Sequence, residues 1–178
     1  FGVAFVDEKT GFAVGANGTL IRSTTGGAYW ETVDSATRSW LEDIKFTSPD
    51  HGVAVGDRGA VVVSMDGGTT WSAVKTNVRE NLYSVSFADE KIGFAVGAGG
   101  IILRTDDGGL SWTDQESPVS ANLFFVTAFG ADGAMAVGEL GTVIVTTDGG
   151  RNWYSQPTST GNMLQTAAYR GGKNIWVA

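Results

Sequence analysis

The octet Ser64-Met65-Asp66-Gly67-Gly68-Thr69-Thr70-Trp71 returns as Thr105-Asp106-Asp107-Gly108-Gly109-Leu110-Ser111-Trp112 and again as Thr146-Thr147-Asp148-Gly149-Gly150-Arg151-Asn152-Trp153. Each copy begins 41 residues after the one before it. An earlier copy, Ser23-Thr24-Thr25-Gly26-Gly27-Ala28-Tyr29-Trp30, keeps the glycines and the Trp but has Thr25 where the others have Asp. Within such an octet the carboxylate can accept hydrogen bonds from turn amides, the glycines permit positive φ, and the indole is a large wedge between sheets. Ser64, Asp66, Gly68 and Trp71 are therefore expected to be structural, as are Asp107, Gly109, Trp112, Asp148, Gly150 and Trp153 in the later copies. Thr25 predicts a less well tied turn in the first.

The period extends beyond the octet. Gly15, Gly56, Gly97 and Gly138 keep the 41-residue spacing, as do Leu41, Leu82, Leu123 and Leu164, so one unit is copied in tandem without insertion. Phe12-Ala13-Val14-Gly15 and its counterparts are followed by two variable residues and a Gly, which indicates a hairpin turn. The next run, Ala60-Val61-Val62 in the second copy, is apolar at successive rather than alternate residues, so both faces of the sheet should be covered by protein. A run before each of these blocks (Val3 to Val6, Ile44 to Thr47, Val85 to Ala88, Val126 to Phe129) and one after each Trp complete four short strands per copy. A period near 40 with four strands per unit predicts an all-β fold, a β-propeller of four-stranded antiparallel blades. The blades are expected at about 1–34, 41–75, 82–116 and 123–157, with part of a fifth at 164–178, where Ile175-Trp176-Val177-Ala178 falls near the Phe-Ala-Val-Gly position. Four blades and a fraction predict a segment of a larger propeller that, in isolation, exposes apolar blade faces.

The octet resembles the Asp box, S/T-x-D-x-G-x-T-W, of the neuraminidase-like repeat propellers. The longer stretch Gly93 to Trp112, of the form AVG-x-x-G-T-I-L-R-T-x-D-G-G-x-x-W, resembles the photosystem II stability/assembly factor family. This resemblance covers nearly the whole chain. It implies a non-enzymatic scaffold without cofactor that binds a protein partner, a membrane-protein complex included, outside the cytoplasm in a periplasm, a lumen or at a cell surface. Relatives of this kind occur in many bacteria without photosystems, and repeats specify a scaffold onto which function is grafted. Two other readings stay open: a carbohydrate-active propeller, sialidase-like or glucanase-like, with its catalytic residues outside this segment, and a structural repeat module of a secreted or cell-surface protein.

Composition narrows the partners. The chain has 26 Gly and 3 Pro among 178 residues, which fits tight turns between packed strands. No run approaches the roughly 20 apolar residues needed to span a bilayer, so direct membrane insertion is not expected. A net charge of −7 argues against nucleic acid as a partner. The absence of Cys removes disulfides and thiolate metal sites, and no metal is expected.

Catalysis finds little support. In the sialidases, the resemblance implies an arginine cluster and a Tyr/Glu pair on the face away from the Asp boxes, and none of the arginines here sits in the F/Y-R-I-P context that opens those domains. Arg22 and Arg104 share one repeat position, which indicates a scaffold role. His51, the single histidine, has no Ser or Cys nucleophile context. Asp106-Asp107 lacks the other ligands of a calcium loop, and Asp7-Glu8 with Asp89-Glu90 recur two repeats apart, as turn residues would.

Positions that vary between repeats on the rim opposite the octets are the better candidates for function. Trp40 stands where the other copies have Asn81, Asn122 and Met163, so the scaffold does not require Trp there. Arg38, Arg58 and Arg79 lie on neighbouring loops. Trp and Arg are enriched at binding hot spots, and Arg38, Trp40, Arg58 and Arg79 are expected to form one protein-binding patch.

Overall fold

A computed structural model describes residues 2–169 and the backbone of residues 175–177; Phe1, Arg170 to Asn174, Ala178 and the side chains of Ile175, Trp176 and Val177, on which parts of the first and fifth units were read, lie outside the described residues. Four antiparallel sheets of four strands follow one another along the chain. The first holds β1 (Val3–Phe5), β2 (Gly11–Val14), β3 (Leu20–Ser23) and β4 (Glu31–Thr32), and the second β5 (Leu41–Phe46), β6 (Gly52–Gly56), β7 (Val61–Ser64) and β8 (Ser72–Val74). The third holds β9 (Leu82–Phe87), β10 (Gly93–Gly97), β11 (Ile102–Thr105) and β12 (Thr113–Asp114), and the fourth β13 (Leu123–Ala128), β14 (Ala134–Gly138), β15 (Val143–Thr146) and β16 (Tyr154–Ser155). A two-stranded sheet of β17 (Ala167–Tyr169) and β18 (Ile175–Val177) comes after them. The first strands β1, β5, β9, β13 and β17 pack in sequence against one another and form the inner wall.

In blades two to four the inner strand starts at the repeated leucine, three residues before the apolar runs predicted from sequence. The cause is a bulge: pairing skips one residue after Leu41, Leu82 and Leu123, so Glu42, Tyr83 and Phe124 interrupt the alternation that marks a strand in sequence. The second strands β6, β10 and β14 are buried along their whole length, as unbroken apolar runs require. The turn after each second strand sits one residue later than its bracketing glycines indicate. Thr19 N–H donates to Ala16 O at 3.0 Å, Asn17 and Gly18 have φ of 55° and 73°, and Arg58, Gly99 and Leu140 repeat the left-handed position at 58°, 65° and 56°. Two consecutive positive φ values closed by this bond make a type I′ turn.

The hydrophobic core lies between blades. Phe12 and Leu20 of the first blade cluster with Leu41, Ile44, Ala54, Val62 and Trp71 of the second. Corresponding clusters join the second blade to the third around Trp112, the third to the fourth around Trp153, and Met135 and Val137 of the fourth to Leu164 and Ala167. Trp30, Trp71 and Trp112 are each held by a glycine carbonyl of their own octet. Trp71 Nε1 donates to Gly68 O at 3.3 Å and Trp112 Nε1 to Gly109 O at 3.0 Å. Trp71 then meets Phe12 and Phe46 edge-on, with centroids 6.3 and 6.0 Å away. Gly68 is required twice over: its φ is 73°, and a Cβ there would run into the Phe12 ring of the preceding blade.

The octet turn is closed by its hydroxyl and its carboxylate. Ser64 Oγ accepts from Gly68 N–H at 2.9 Å and donates to Asp66 Oδ1 at 2.9 Å, while Asp66 takes Thr70 N–H on Oδ1 at 2.9 Å and Thr70 Oγ1 on Oδ2 at 2.7 Å. Thr105, Asp107 and Ser111, and then Thr146, Asp148 and Asn152, repeat the scheme. The first copy keeps part of it. Gly27 N–H reaches Ser23 Oγ and Tyr29 N–H reaches Thr25 Oγ1, both at 2.9 Å, but one hydroxyl replaces two charged oxygens. Inner strands are stitched further by side chains: Asp43 Oδ2 accepts from Val85 N–H at 3.0 Å, and Ser84 Oγ from Val126 N–H at 3.3 Å.

Removing the wedge should cost far more than removing the tie. Trp71→Ala is expected to lose about 3–5 kcal/mol through the cavity it opens, whereas Asp66→Ala should lower the melting temperature by a smaller amount. The turn's hydrogen bonds, those from Thr70 first, hold the Asp66 carboxyl down to about 2 from 3.8. Because the folded value is depressed, this contribution is complete above the unfolded value and is lost as pH falls through the folded one. The melting-temperature gap between wild type and Asp66→Ala should therefore shrink on acidification from pH 4 to pH 2, and thermal melts across that range check it.

Candidate functional site

The two ends of the blades differ. At one end the octets are tied to the turns between first and second strands, as where Gly67 N–H donates to Asp50 O at 2.9 Å and Gly108 N–H to Lys91 O at 2.9 Å. Residues weighed for chemistry are absorbed there. Asp7 Oδ1 accepts from the amides of Lys9 and Thr10, and Asp89 Oδ1 from those of Lys91 and Ile92; these bonds hold both carboxyls below their ordinary value. Asp106 pairs with Arg104 at 2.6 Å, leaving Asp107 to its octet. Arg22 reaches Thr69 of the next blade's octet at 3.5 Å and lies over the Phe12 ring, and the Arg104 stem packs against Gly150. Both arginines thus bridge blades. His51 is buried beside Phe87 and Gly108, with Nδ1 3.0 Å from Thr47 Oγ1, in another inter-blade seam. Among the described residues no group of three or more His, Cys, Asp or Glu is placed to hold a metal ion.

The other end is built by the type I′ turns and the connections between blades. One backbone bond repeats around it: Asp57 N–H donates to Trp40 O at 2.9 Å, Ala98 N–H to Asn81 O at 2.8 Å, and Glu139 N–H to Asn122 O at 2.9 Å. A second set comes from side chains, with Arg58 N–H on Asn81 Oδ1 at 3.0 Å and Gly99 N–H on Asn122 Oδ1 at 2.8 Å. These bonds press each connection onto the turns of the two blades it joins. Close approach is enforced by glycine, since a Cβ on Gly56 or Gly97 would strike the Trp40 or Asn81 carbonyl.

Between blades one and two this construction leaves an open concavity of about 360 Å³ lined by Asn17, Arg38, Ser39, Trp40, Asp57 and Arg58. Arg38, Trp40 and Arg58, expected from sequence to share a patch, come together here. Both arginines are exposed and Trp40 is 44% exposed, unlike the four octet tryptophans, which are buried or half-buried. Arg79 does not line this hollow. It occupies the repeat position of Arg38 one blade further on, exposed, next to Glu80, whose carbonyl accepts from Gly59 N–H at 2.8 Å. The concavity also holds a residue not singled out from sequence: burial first, and then the Glu42 charge, hold the Asp57 carboxyl above its ordinary value, against the pull of Arg58. Two guanidinium groups, one carboxylate and an indole make a site suited to an acidic ligand with an apolar contact.

The sequence model of the family described as photosynthesis system II assembly factor YCF48 matches residues 28–178. No curated protein matches the sequence. Among solved structures, that of YCF48 bound to D1 peptide is 19% identical with a TM-score of 0.76, covering 98% of this chain and 58% of that one. YCF48 from Cyanidioschyzon merolae is 14% identical with a TM-score of 0.56, covering 99% and 91%. The GH74 enzyme of Niastella koreensis is 14% identical with a TM-score of 0.73, covering 94% of this chain and 31% of the enzyme. At these identities the structures share the propeller fold.

Because its side chain is half out of the fold, Trp40 should contribute little to stability. Trp40→Ala is expected to leave the melting temperature within a few degrees of wild type, and Arg58→Gly likewise, since glycine adopts the left-handed turn position without strain. Thermal melts alongside Trp71→Ala check both.

Proposed function

The chain belongs to the family of the photosystem II assembly factor YCF48, and on that premise we propose that it is a protein-binding propeller whose turn rim holds an acidic, extended peptide segment of a membrane-protein complex. The observation that carries this reading is the convergence of Arg38, Trp40 and Arg58 on one concavity at the end of the blades that the Asp boxes leave free. YCF48 bound to D1 peptide is among its structural neighbours, and that complex supports a peptide as the kind of ligand. The chain spans 58% of the length of that neighbour, so the partner of the whole protein is part of the proposal.

Each residue has a distinct part. Arg38 and Arg58 offer forked donors to a carboxylate, a side chain or a C-terminus, and the bidentate geometry fixes its orientation. Trp40 supplies a rigid apolar wall with little ordering cost. Arg79, one blade away, extends the positive field and speeds encounter more than it holds the ligand. Asp57 opposes the ligand's charge and sets how acidic it must be. On this reading the protein acts by binding, without chemistry of its own, and works outside the cytoplasm, a compartment that its resemblance to assembly factors supports; no helix among the described residues is long and apolar enough to cross a membrane.

Fluorescence anisotropy with a labelled acidic peptide tests the site. Arg38→Ala and Arg58→Ala should each weaken binding by about tenfold or more, Asp57→Asn should strengthen it, and Arg79→Ala should chiefly lower the association rate and its salt dependence. Unchanged affinity in folded Arg38→Ala and Arg58→Ala variants would overturn the proposal. Turnover of a β-glucan by the chain would replace it with an enzymatic one.

A further inference from the structure

In blades two and three the turn residue is bonded to the connection residue 23 positions later, Arg58 to Asn81 and Gly99 to Asn122, and in the fourth blade the same turn and connection are joined by Gly141 N–H donating to Asn162 O at 2.7 Å. In the first blade these positions hold Asn17 and Trp40, both lining the basic concavity. In the fourth they hold Leu140 and Met163. Both of these run against local preference. Leu140 is 78% exposed and sits at φ 56°, in the left-handed region that suits Gly or Asn far better than a branched side chain. Met163 is 53% exposed in a slot that the second and third blades fill with Asn. Neither belongs to an inter-blade cluster, and Met163 makes a local contact, Gln165 Nε2 donating to its sulfur at 3.4 Å.

We propose that Leu140 and Met163 form an apolar shelf that takes a large apolar side chain of the same peptide whose acidic group lies against Arg38 and Arg58. The inference rests on the reading of the basic concavity as a peptide site. The rim is continuous between the two points. Tyr83 and Phe124, bulge residues of adjacent inner strands, pair with ring centroids 5.6 Å apart. The Tyr83 hydroxyl is held above its ordinary value by burial first and then by Asp57 of the concavity, with Glu42 and Glu139 adding to it, so one ring feels charges from both ends. Charge also sets the direction of the ligand. Glu139, next to Leu140, is fixed by Asn122, whose N–H and Nδ2 donate to its carboxylate at 3.2 and 3.0 Å. An acidic residue is repelled at the shelf and drawn to the arginines, whereas an apolar one is accepted at the shelf. The turn between them carries Gly99, beside which a Cβ would meet nothing within 4 Å, so the backbone of a ligand can cross there.

The test uses labelled peptides of about ten residues, a Gly/Ser host ending in Asp-Asp, each with Leu at one of the upstream positions or with none. The protein carries methyl-labelled Met, whose three residues report from separate places: Met163 on the shelf, Met65 exposed in an octet, and Met135 buried. A Leu at the right spacing should tighten binding by about tenfold and shift the Met163 methyl signal while Met65 and Met135 stay still. Leu140→Asn and Met163→Ser should erase that gain and leave the Leu-free peptide's affinity unchanged. Leu140→Asn should not lower the melting temperature, because Asn tolerates the left-handed turn. A flat Leu scan, or binding that depends on Arg38 with a silent Met163 methyl, would overturn the shelf and spare the concavity. A Met163 shift that persists when Arg38→Ala has no effect would sink the concavity and with it the shared-ligand proposal. If no peptide of the set binds, both fall.

Discussion

The structure depends on the insertion of one blade's tryptophan into the blade before it. A four-stranded sheet of this size has two apolar faces and cannot cover either alone. Trp71 meets Phe12, Trp153 meets Phe94, and Trp112 packs with Val53, Val55, Val61 and Val63, so each of the three seams between the four four-stranded blades is filled by one aromatic wedge from the later blade. The rest of the octet serves that wedge. Its hydroxyl and carboxylate close the turn, its indole nitrogen anchors on a glycine carbonyl, and that glycine is small because the preceding blade's ring lies against it. Trp153 varies the scheme, since its Nε1 is buried without the glycine bond.

This arrangement divides the molecule into an end that cannot vary and an end that can. Arg22, Arg104 and His51 all sit at the octet end and bridge blades there, so residue types that elsewhere serve chemistry are occupied with cohesion. At the turn end the links run through backbone amides and carbonyls, with Asn side chains assisting in two seams. Backbone links do not prescribe the side chains, and the residues at Asn17 and Trp40, Arg58 and Asn81, Gly99 and Asn122, and Leu140 and Met163 differ in size, charge and polarity without altering the strand order of the blades. A family that keeps its fold while changing its partner would vary such positions first.

Much of the candidate site was legible because an exact repeat gives each position three internal comparisons. Trp40 stood out against Asn81, Asn122 and Met163, and the structure leaves it half-exposed in a concavity with Arg38 and Arg58. Arg79 was grouped with them because its loop is adjacent, but the blade-to-blade rotation carries it past the hollow. Leu140 is harder to see in the sequence. It shares a position with Asn17, Arg58 and Gly99, and only the turn type, with two successive left-handed residues, makes a leucine there costly enough to notice. The inner strands of blades two to four start three residues before their apolar runs for a related reason: a bulge at Glu42, Tyr83 and Phe124 breaks the period on which strand reading relies.

The repeat, the strand count of the four full blades, the burial of both sheet faces and the structural role of the Asp box are all written in the sequence, because they follow from spacing, apolar runs and the stereochemistry of Gly, Asp and Trp within about ten residues. Which side chains meet across a seam follows from tertiary packing alone: that Arg22 serves the next blade's octet, that His51 is sealed beside Gly108, that Asp57 joins two arginines and a tryptophan, and that the turn of Leu140 is bonded to the connection carrying Met163. Those encounters depend on the angle and register at which one blade docks on the next. That geometry is set by the fit of rings and glycines in the inter-blade core, and no local pattern in the chain records it.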